Sequence, residues 1–463
     1  MPSKAIQSGS TAHLLLSMIW EKLAGLCGLL FMSFSCGFQA ISQLLNAQLI
    51  SAPLSSNVAT STHLTTQIRM TEGVYLYNEG VDPYMGDLFH ESPLGLHVYS
   101  WMIQYVSQWL GLIFIACDLA TAHLLYCTAC RYMTQLRDQQ VAQRRHYADD
   151  CKALLLKDER LELAPVYVAS AYLFNPYNML SCTGHTTTVF ANLCLASTFL
   201  FMIKGCRLWC CFFLAVATLH SLYPALLLVP ASIYIAQHSG HQGFNRQTLS
   251  SIFVSTLVFA AMLSALLCIC WRLTNSWDFL TETYGFILNV PDLRPNIGLF
   301  WYFFTEMFEH FRSLFICAFQ INATVLYVIP LTFRLHYEPM LLAASLTALT
   351  AVFKSYPSLG DVGFYLALLP MWKHLFNYMQ QGFVVGCFFL ITSVLGPIVW
   401  HLWIYSRSAN ANFYFGVTLA FATAQIFLQE GLFFVSKVKP FALKYNLKMI
   451  VVGNISKLKL QDR

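Results

Sequence analysis

Apolar runs recur along this chain, and a run of about 20 residues is what crossing some 30 Å of hydrocarbon requires. They fall near 93–130, 163–181, 183–203, 208–236, 250–271, 313–333, 340–353, 361–372, 382–405 and 411–435, with a further run at Leu23–Leu45. Composition agrees: 57% of the 463 residues are hydrophobic and 11% are charged, against about 25% charged in ordinary soluble domains. A backbone inside lipid must satisfy its own hydrogen bonds, so these runs are helices. The expectation is an all-α, polytopic transmembrane helix bundle of about 11–12 spans.

The polar segments order the bundle. Residues 131–162 carry seven Lys/Arg and six Asp/Glu, a charged, helix-friendly connection that the positive-inside rule assigns to the cytosol. Lys204, Arg207, Arg246, Arg334, Lys373, Lys437 and Lys439 then fall at alternate ends. The opposite, luminal side collects 46–92, 175–183, Ser221–Pro224, 272–309, Ser355–Asp361 and Ser406–Phe413. One membrane domain covers 23–436, with luminal loops 46–92 and 272–309 and the cytosolic loop 131–162. It is preceded by a cytosolic segment, 1–22, and followed by a basic cytosolic tail, 437–463, suited to anionic lipid headgroups. Leu23–Leu45 reads as an uncleaved first span. The Asn454-Ile-Ser456 sequon then faces the cytosol. Ser221-Leu-Tyr-Pro224 divides 208–236 into two short helices, because proline disfavours helix at the preceding residue.

Candidate chemistry is sparse. Asp118 lies inside an apolar run, where an ionised carboxylate must face the bundle interior and find a donor. Cys182-Thr-Gly-His185 is the one Cys–His pair on the luminal side. Cys127-Thr-Ala-Cys130 has redox or metal spacing without a second pair or nearby histidine. His90 with Glu91, and Glu306 with Glu309 and His310 at helical spacing, are the nearest approaches to metal ligands. Neither set completes a cluster, so no metal site, cofactor or catalytic residue is expected. No phosphate loop and no basic, nucleic-acid-binding face occurs. Asn410 and Asn412, in Ser408-Ala-Asn-Ala-Asn412, sit at a helix start. Asn410 suits an N-cap; alternatively both amides hydrogen-bond a glycan or phosphate.

The stretch from Ser276 to Arg312 is the most distinctive. It holds Asp278, Glu282, Asp292, Arg294, Glu306, Glu309 and Arg312 between apolar spans, with helix breaks at Pro291 and Pro295 and dense aromatics from Phe300 to Phe311. It reads as an irregular loop followed by an aromatic, partly interfacial helix. This stretch, with Asn175-Pro-Tyr-Asn-Met-Leu-Ser-Cys182, Phe353-Lys-Ser-Tyr-Pro-Ser-Leu-Gly-Asp361, Trp400-His-Leu-Trp-Ile-Tyr405 and Ser408–Phe413, closely resembles the PIG-U family of membrane subunits of the GPI transamidase complex. The resemblance covers roughly residues 79–428.

The resemblance implies a glycosyltransferase-C-like bundle in the endoplasmic reticulum membrane. It implies a non-catalytic subunit that recognises or presents the GPI lipid for attachment to protein C-termini. Partners would be the caspase-like catalytic subunit PIG-K, PIG-T, PIG-S and the GPI anchor attachment protein, besides GPI and membrane lipids. In that family the positions of Asn410 and Asn412 are thought to contact the GPI headgroup. The acidic loop Glu79–Asp87 and Phe89–Leu94 is also similar to the first luminal loop of GPI mannosyltransferases, so the alternative is an active dolichol-sugar-dependent GPI mannosyltransferase. Those enzymes carry an acidic pair just after the first span. Here Ser51–Met70 holds no Asp or Glu, and Asp82 and Asp87 are not spaced as that pair.

Overall fold

The structure, a computed structural model, describes residues 67–86, 88–143, 158–240, 243, 245–376, 379 and 381–445. The expected first span at Leu23–Leu45, Asp87, the middle of the charged connection and the end of the basic tail lie outside the described residues. Among the described residues every regular element is helical, as the apolar runs require.

The main helices are α1 (Gln67–Asn78), α2 (Pro93–Val106), α3 (Leu110–Gln143), α4 (Asp158–Leu173), α5 (Pro176–Thr183), α6 (Thr188–Ile203), α7 (Arg207–His220), α8 (Leu228–His238), α9 (Arg246–Thr274), α10 (Phe300–Glu306), α11 (Glu309–Ile321), α12 (Val328–Leu335), α13 (Pro339–Phe353), α14 (Leu359–Leu368), α15 (Gly382–Ile404) and α16 (Ala411–Tyr445). Among the described residues five stretches are long and apolar enough to cross a membrane: Pro93–Ala142, Arg246–Thr274, Glu309–Leu335, Gly382–Ile404 and Ala411–Phe433. Leu161–Leu173, Thr188–Ile203, Arg207–His220 and Pro339–Phe353 are apolar but shorter.

The short helices occupy the centre. α13 is buried along almost its whole length. Its sequence explains this: Ala343, Ala344, Ser345, Thr347, Ala348 and Ala351 are small, and small residues let helices approach closely where lipid supplies no hydrophobic drive between them. Ser345 and Thr347 return their hydroxyls to the carbonyls of Leu341 and Ala343, so no polar atom of theirs is stranded. α14 meets α5 at Gly363, where a Cβ would fall 1.9 Å from Asn178 Oδ1; only glycine permits that approach. Outside this core, the apolar stretches of α9, α11–α12 and α15 are buried over only 17%, 22% and 11%. Those faces are left to lipid or to other proteins.

Loops gather in two layers. In one, Tyr223 bonds Ser355 and Gln320, Ser355 Oγ donates to the Ile287 carbonyl, Tyr356 donates to the Asp292 carbonyl, and Arg69 pairs with Asp292. In the other, Gln135 reaches the Ile203 carbonyl, Arg207 bonds Ser251, Gln237 bonds the His336 carbonyl, and Lys373 lies over the Tyr167 ring. On α3, Phe114 packs against His185, which bonds Gln67 on the helix that carries Arg69 of the first layer, while Gln135 belongs to the second. At 1.5 Å per residue these anchor points are about 32 Å apart, the thickness of a hydrocarbon core.

Local expectations fared differently. Ser221–Pro224 does separate two helices, α7 and α8, through a tight 3-10 turn at Tyr223–Leu227. Asp118 is buried and accepts from the Tyr172 hydroxyl at 2.9 Å. The charged connection begins as a continuation of α3, helical to Gln143. The aromatic segment is not one helix. It breaks at Met307–Phe308, both extended in ψ, and α11 folds back so that Phe319 packs on Phe300, Phe303 and Phe304. The break separates Glu306 from Glu309 and His310, so their helical spacing is not realised.

Candidate functional site

α15 ends in a turn built by its own backbone: the amides of Ser408 and Ala409 both bond the Leu402 carbonyl, and Arg407, just before them, takes a left-handed conformation. The chain then enters α16. Asn410 Oδ1 accepts from the Phe413 amide at 3.2 Å, the N-cap geometry that satisfies an orphan donor. Asn412, in the first turn, accepts from the Tyr302 hydroxyl at 2.7 Å. Both asparagines are exposed. Each carbonyl oxygen is engaged within the protein, which leaves the amide NH2 groups as donors at the surface.

An aromatic platform supports this corner. Tyr302 stacks on Phe415 at 4.2 Å. Next to it, Trp301 contacts Trp403, Tyr414 and Phe415, and Trp400 packs edge-on to Tyr414 at 5.1 Å. Trp301 is buried and its Nε1 has no hydrogen-bond partner. The platform fixes α10 against the start of α16, and so holds Tyr302 where Asn412 can receive its proton.

Beside the platform an apolar groove runs between α15, α16 and α5, with about 1030 Å³ of empty space. Tyr177, Ile297, Leu359, Gly396, Tyr414 and Phe421 are among its walls. Its shape follows from sequence. Gly396 offers no side chain, and Pro397 within α15 withdraws an amide from the helix ladder and so frees the Ser393 carbonyl on the groove wall. Tyr414 belongs to both the platform and the groove wall, so exposed amide donors and an apolar slot lie on successive turns of α16, a form suited to a ligand with a polar head and hydrocarbon chains.

The structure places Asn410 and Asn412 at the start of α16, where Asn410 is the helix cap that the sequence suited it to be. Tyr302, Trp301, Trp403 and Tyr414 were missed as a unit. Only the aromatic density of 300–311 and the Trp400–Trp403 spacing hinted at them, and no local signal pairs Tyr302 with Asn412. The remaining candidates separate. Cys182 is fully buried, and His185 Nδ1 donates to Gln67 Oε1 at 3.1 Å. Burial holds the His185 imidazole below its usual pKa. Asp82 caps the turn at Tyr84. Cys127 does have a nearby histidine, contrary to expectation: His123, one turn earlier on α3, at 3.6 Å. No group of three or more metal-ligating side chains assembles among the described residues.

The sequence model of the GPI transamidase subunit PIG-U matches residues 36–421. The chain belongs to the PIG-U family. Among its relatives, the human GPI-anchor transamidase component PIGU is 38% identical over 398 residues, which is 85% of this chain and 90% of the human protein. The component from Cricetulus griseus is 37% identical over the same shares. The Saccharomyces cerevisiae GPI transamidase component GAB1 is 29% identical over 372 residues, covering 80% of this chain and 85% of the yeast protein. The match to the PIG-U family takes in the aromatic platform, the groove and both asparagines.

Proposed function

We propose that this chain is the subunit of GPI transamidase that seats the GPI lipid, with Asn410 and Asn412 reading its headgroup and the adjoining groove taking its hydrocarbon. The observation that carries this is the placement of two exposed amides, one anchored by Tyr302, at the start of the helix whose following residues Tyr414, Val417 and Phe421 line an apolar groove. Hydrocarbon in the groove supplies affinity, about 0.8 kcal/mol per buried methylene, but no identity. Neutral amide donors at a helix N-terminus suit both sugar hydroxyls and phosphate.

The subunit is non-catalytic in this reading. Transamidation through a thioester needs a cysteine activated by a base. Cys182 is sealed in the core, and its luminal neighbour His185 is committed to Gln67; Cys127 and His123 lie within the apolar run of α3, away from the luminal loops. In this reading the nucleophile belongs to PIG-K, with PIG-T, PIG-S and the GPI anchor attachment protein as the other partners. The exposed apolar faces of α9, α11–α12 and α15 offer them docking surface within the endoplasmic reticulum membrane. The layer holding Asn410, Asn412 and 272–309 faces the lumen, and the layer holding Arg207, Arg334 and Lys373 faces the cytosol.

Photocrosslinking tests the seat. With p-benzoylphenylalanine at Val417, on the groove wall, radiolabelled GPI is captured by the assembled complex. Asn410→Ala with Asn412→Ala lowers the capture. Capture that ignores the double substitution, or fails from Val417 altogether, removes the seat from this corner.

A further inference from the structure

A second polar chamber lies within the first loop layer, apart from the asparagine corner. Its walls include Glu91, Thr188, Asn192, His220, Lys354 and Asp361, around about 860 Å³ of empty space. These residues come from five separate segments. Glu91 Oε2 lies 3.1 Å from His220 Nδ1, and Thr187 donates to Oε1 at 3.1 Å. Lys354 pairs with Asp361, which also accepts from the Ser358 amide in the α14 capping box. Asn192 donates to the Gly360 carbonyl at 3.2 Å, yet its Oδ1, on a residue 2% exposed, has no hydrogen-bond partner.

Directly behind the Glu91–His220 pair is an apolar groove of about 720 Å³, between α2, α6 and α7. Leu94, Val98, Phe190, Cys194, Val216 and Leu219 line it. Val98 is 49% exposed. Chamber and groove share Glu91, Ala191 and His220 as a common wall. Neither shares a lining residue with the groove beside Asn412.

We infer that chamber and groove together bind a second amphiphile, with a hydrocarbon chain between α2, α6 and α7 and an uncharged, hydroxyl-rich head such as a saccharide ring in the chamber. Charge favours such a head over a phosphate. Among the described residues, Lys354 is the one Lys or Arg on the chamber wall, and it is paired with Asp361. Glu91 faces His220 in the same way. No uncommitted cation remains among the described wall residues to repay the desolvation of an anion. What the walls do offer is hydrogen bonding in both directions: the orphaned Asn192 carbonyl and the Thr188 oxygen accept, the Thr188 proton being spent on Ser358 Oγ, and the second ring nitrogen of His220 donates when Glu91 holds the ring as imidazolium. Two-way hydrogen bonding is what a hydroxyl requires. This inference does not depend on the seating of GPI at Asn410 and Asn412.

The test uses the full chain in lipid nanodiscs and two photoactivatable probes with one identical diazirine-bearing alkyl chain, one headed by β-glucose and one by phosphate. The glucoside labels peptides of α2, α6 and α7, and excess unreactive alkyl glucoside removes the label. Asn192→Leu lowers glucoside labelling about threefold, through a lost hydrogen bond. Val98→Trp, at an exposed position on the groove, lowers it about tenfold by filling the slot. Asn410→Ala with Asn412→Ala leaves it unchanged. Equal or stronger labelling by the alkyl phosphate overturns the inference, as does labelling mapped to other helices. Competition on the unsubstituted chain decides the matter even where a variant does not fold.

Discussion

Tyr302 donates its phenolic proton to Asn412 Oδ1 at 2.7 Å, across 110 positions of sequence. That bond orients the Asn412 amide so that its NH2 faces outward, while the ring stays stacked on Phe415. Tyr302→Phe keeps the stack and removes the orienting bond, worth about 0.5–1.5 kcal/mol. Display of a GPI-anchored reporter at the cell surface, measured at limiting expression, falls a few-fold, while co-purification of the complex is unchanged. Unchanged display would mean that the orientation of Asn412 does not matter to GPI use.

Asn410 has two possible duties, capping α16 and presenting donors, and one substitution separates them. Aspartate caps as well as asparagine does, so Asn410→Asp keeps the bond from the Phe413 amide. It abolishes the NH2 donors and adds a negative charge. Thermal stability in detergent stays within about 0.5 kcal/mol of the parent, and reporter display drops. Loss of stability together with display would instead assign Asn410 to the fold alone.

His185 predicts a dependence on pH. Its Nδ1–H donates to Gln67, and its Nε2 is buried with no partner. Burial lowers its pKa from 6.5 in the folded chain. A base whose folded pKa lies below its unfolded one stabilises the fold fully above the unfolded value. That stability is lost as pH falls from about 6.5 through the folded pKa. Melting curves between pH 7.5 and about 5 should therefore slope more steeply for the parent than for His185→Gln. Parallel slopes would contradict the account.

The Arg69–Asp292 pair ties α1 to the loop that precedes α10, with side chains 7% and 15% exposed. Desolvation lowers the Arg69 pKa, and Asp292 opposes that shift. Asp292 also accepts from the Arg294 amide. Removing the acid thus weakens the compensation of a buried cation, whereas removing the cation leaves the acid with another donor. Asp292→Ala costs about 3 kcal/mol, and Arg69→Met costs less. Urea or thermal unfolding of the two variants checks the order.

Much of the fold was legible because the lipid environment leaves few choices. Twenty-residue apolar runs had to be helices, Pro224 had to interrupt one, and Asp118 had to find a donor, which proves to be Tyr172. The break at Met307–Phe308 was not legible. No proline or glycine marks it, and its cause is tertiary: Phe319 returns to cover Phe300 and Phe304. The site was half legible. Asn410 and Asn412 stand at a helix start that sequence alone locates. Their partner Tyr302, the Trp301–Trp403–Tyr414 platform and the groove opened by Gly396 and Pro397 require the packing of helices far apart in the chain. The same holds for the Glu91–His220 and Lys354–Asp361 pairs, which no spacing rule brings together.

The most direct test of the central claim is the double substitution Asn410→Ala, Asn412→Ala in cells that lack the endogenous subunit. Surface display of a GPI-anchored reporter is read alongside co-purification with the other transamidase subunits. The account predicts reduced display with assembly intact. Normal display at limiting expression, or loss of assembly in place of loss of display, would contradict it.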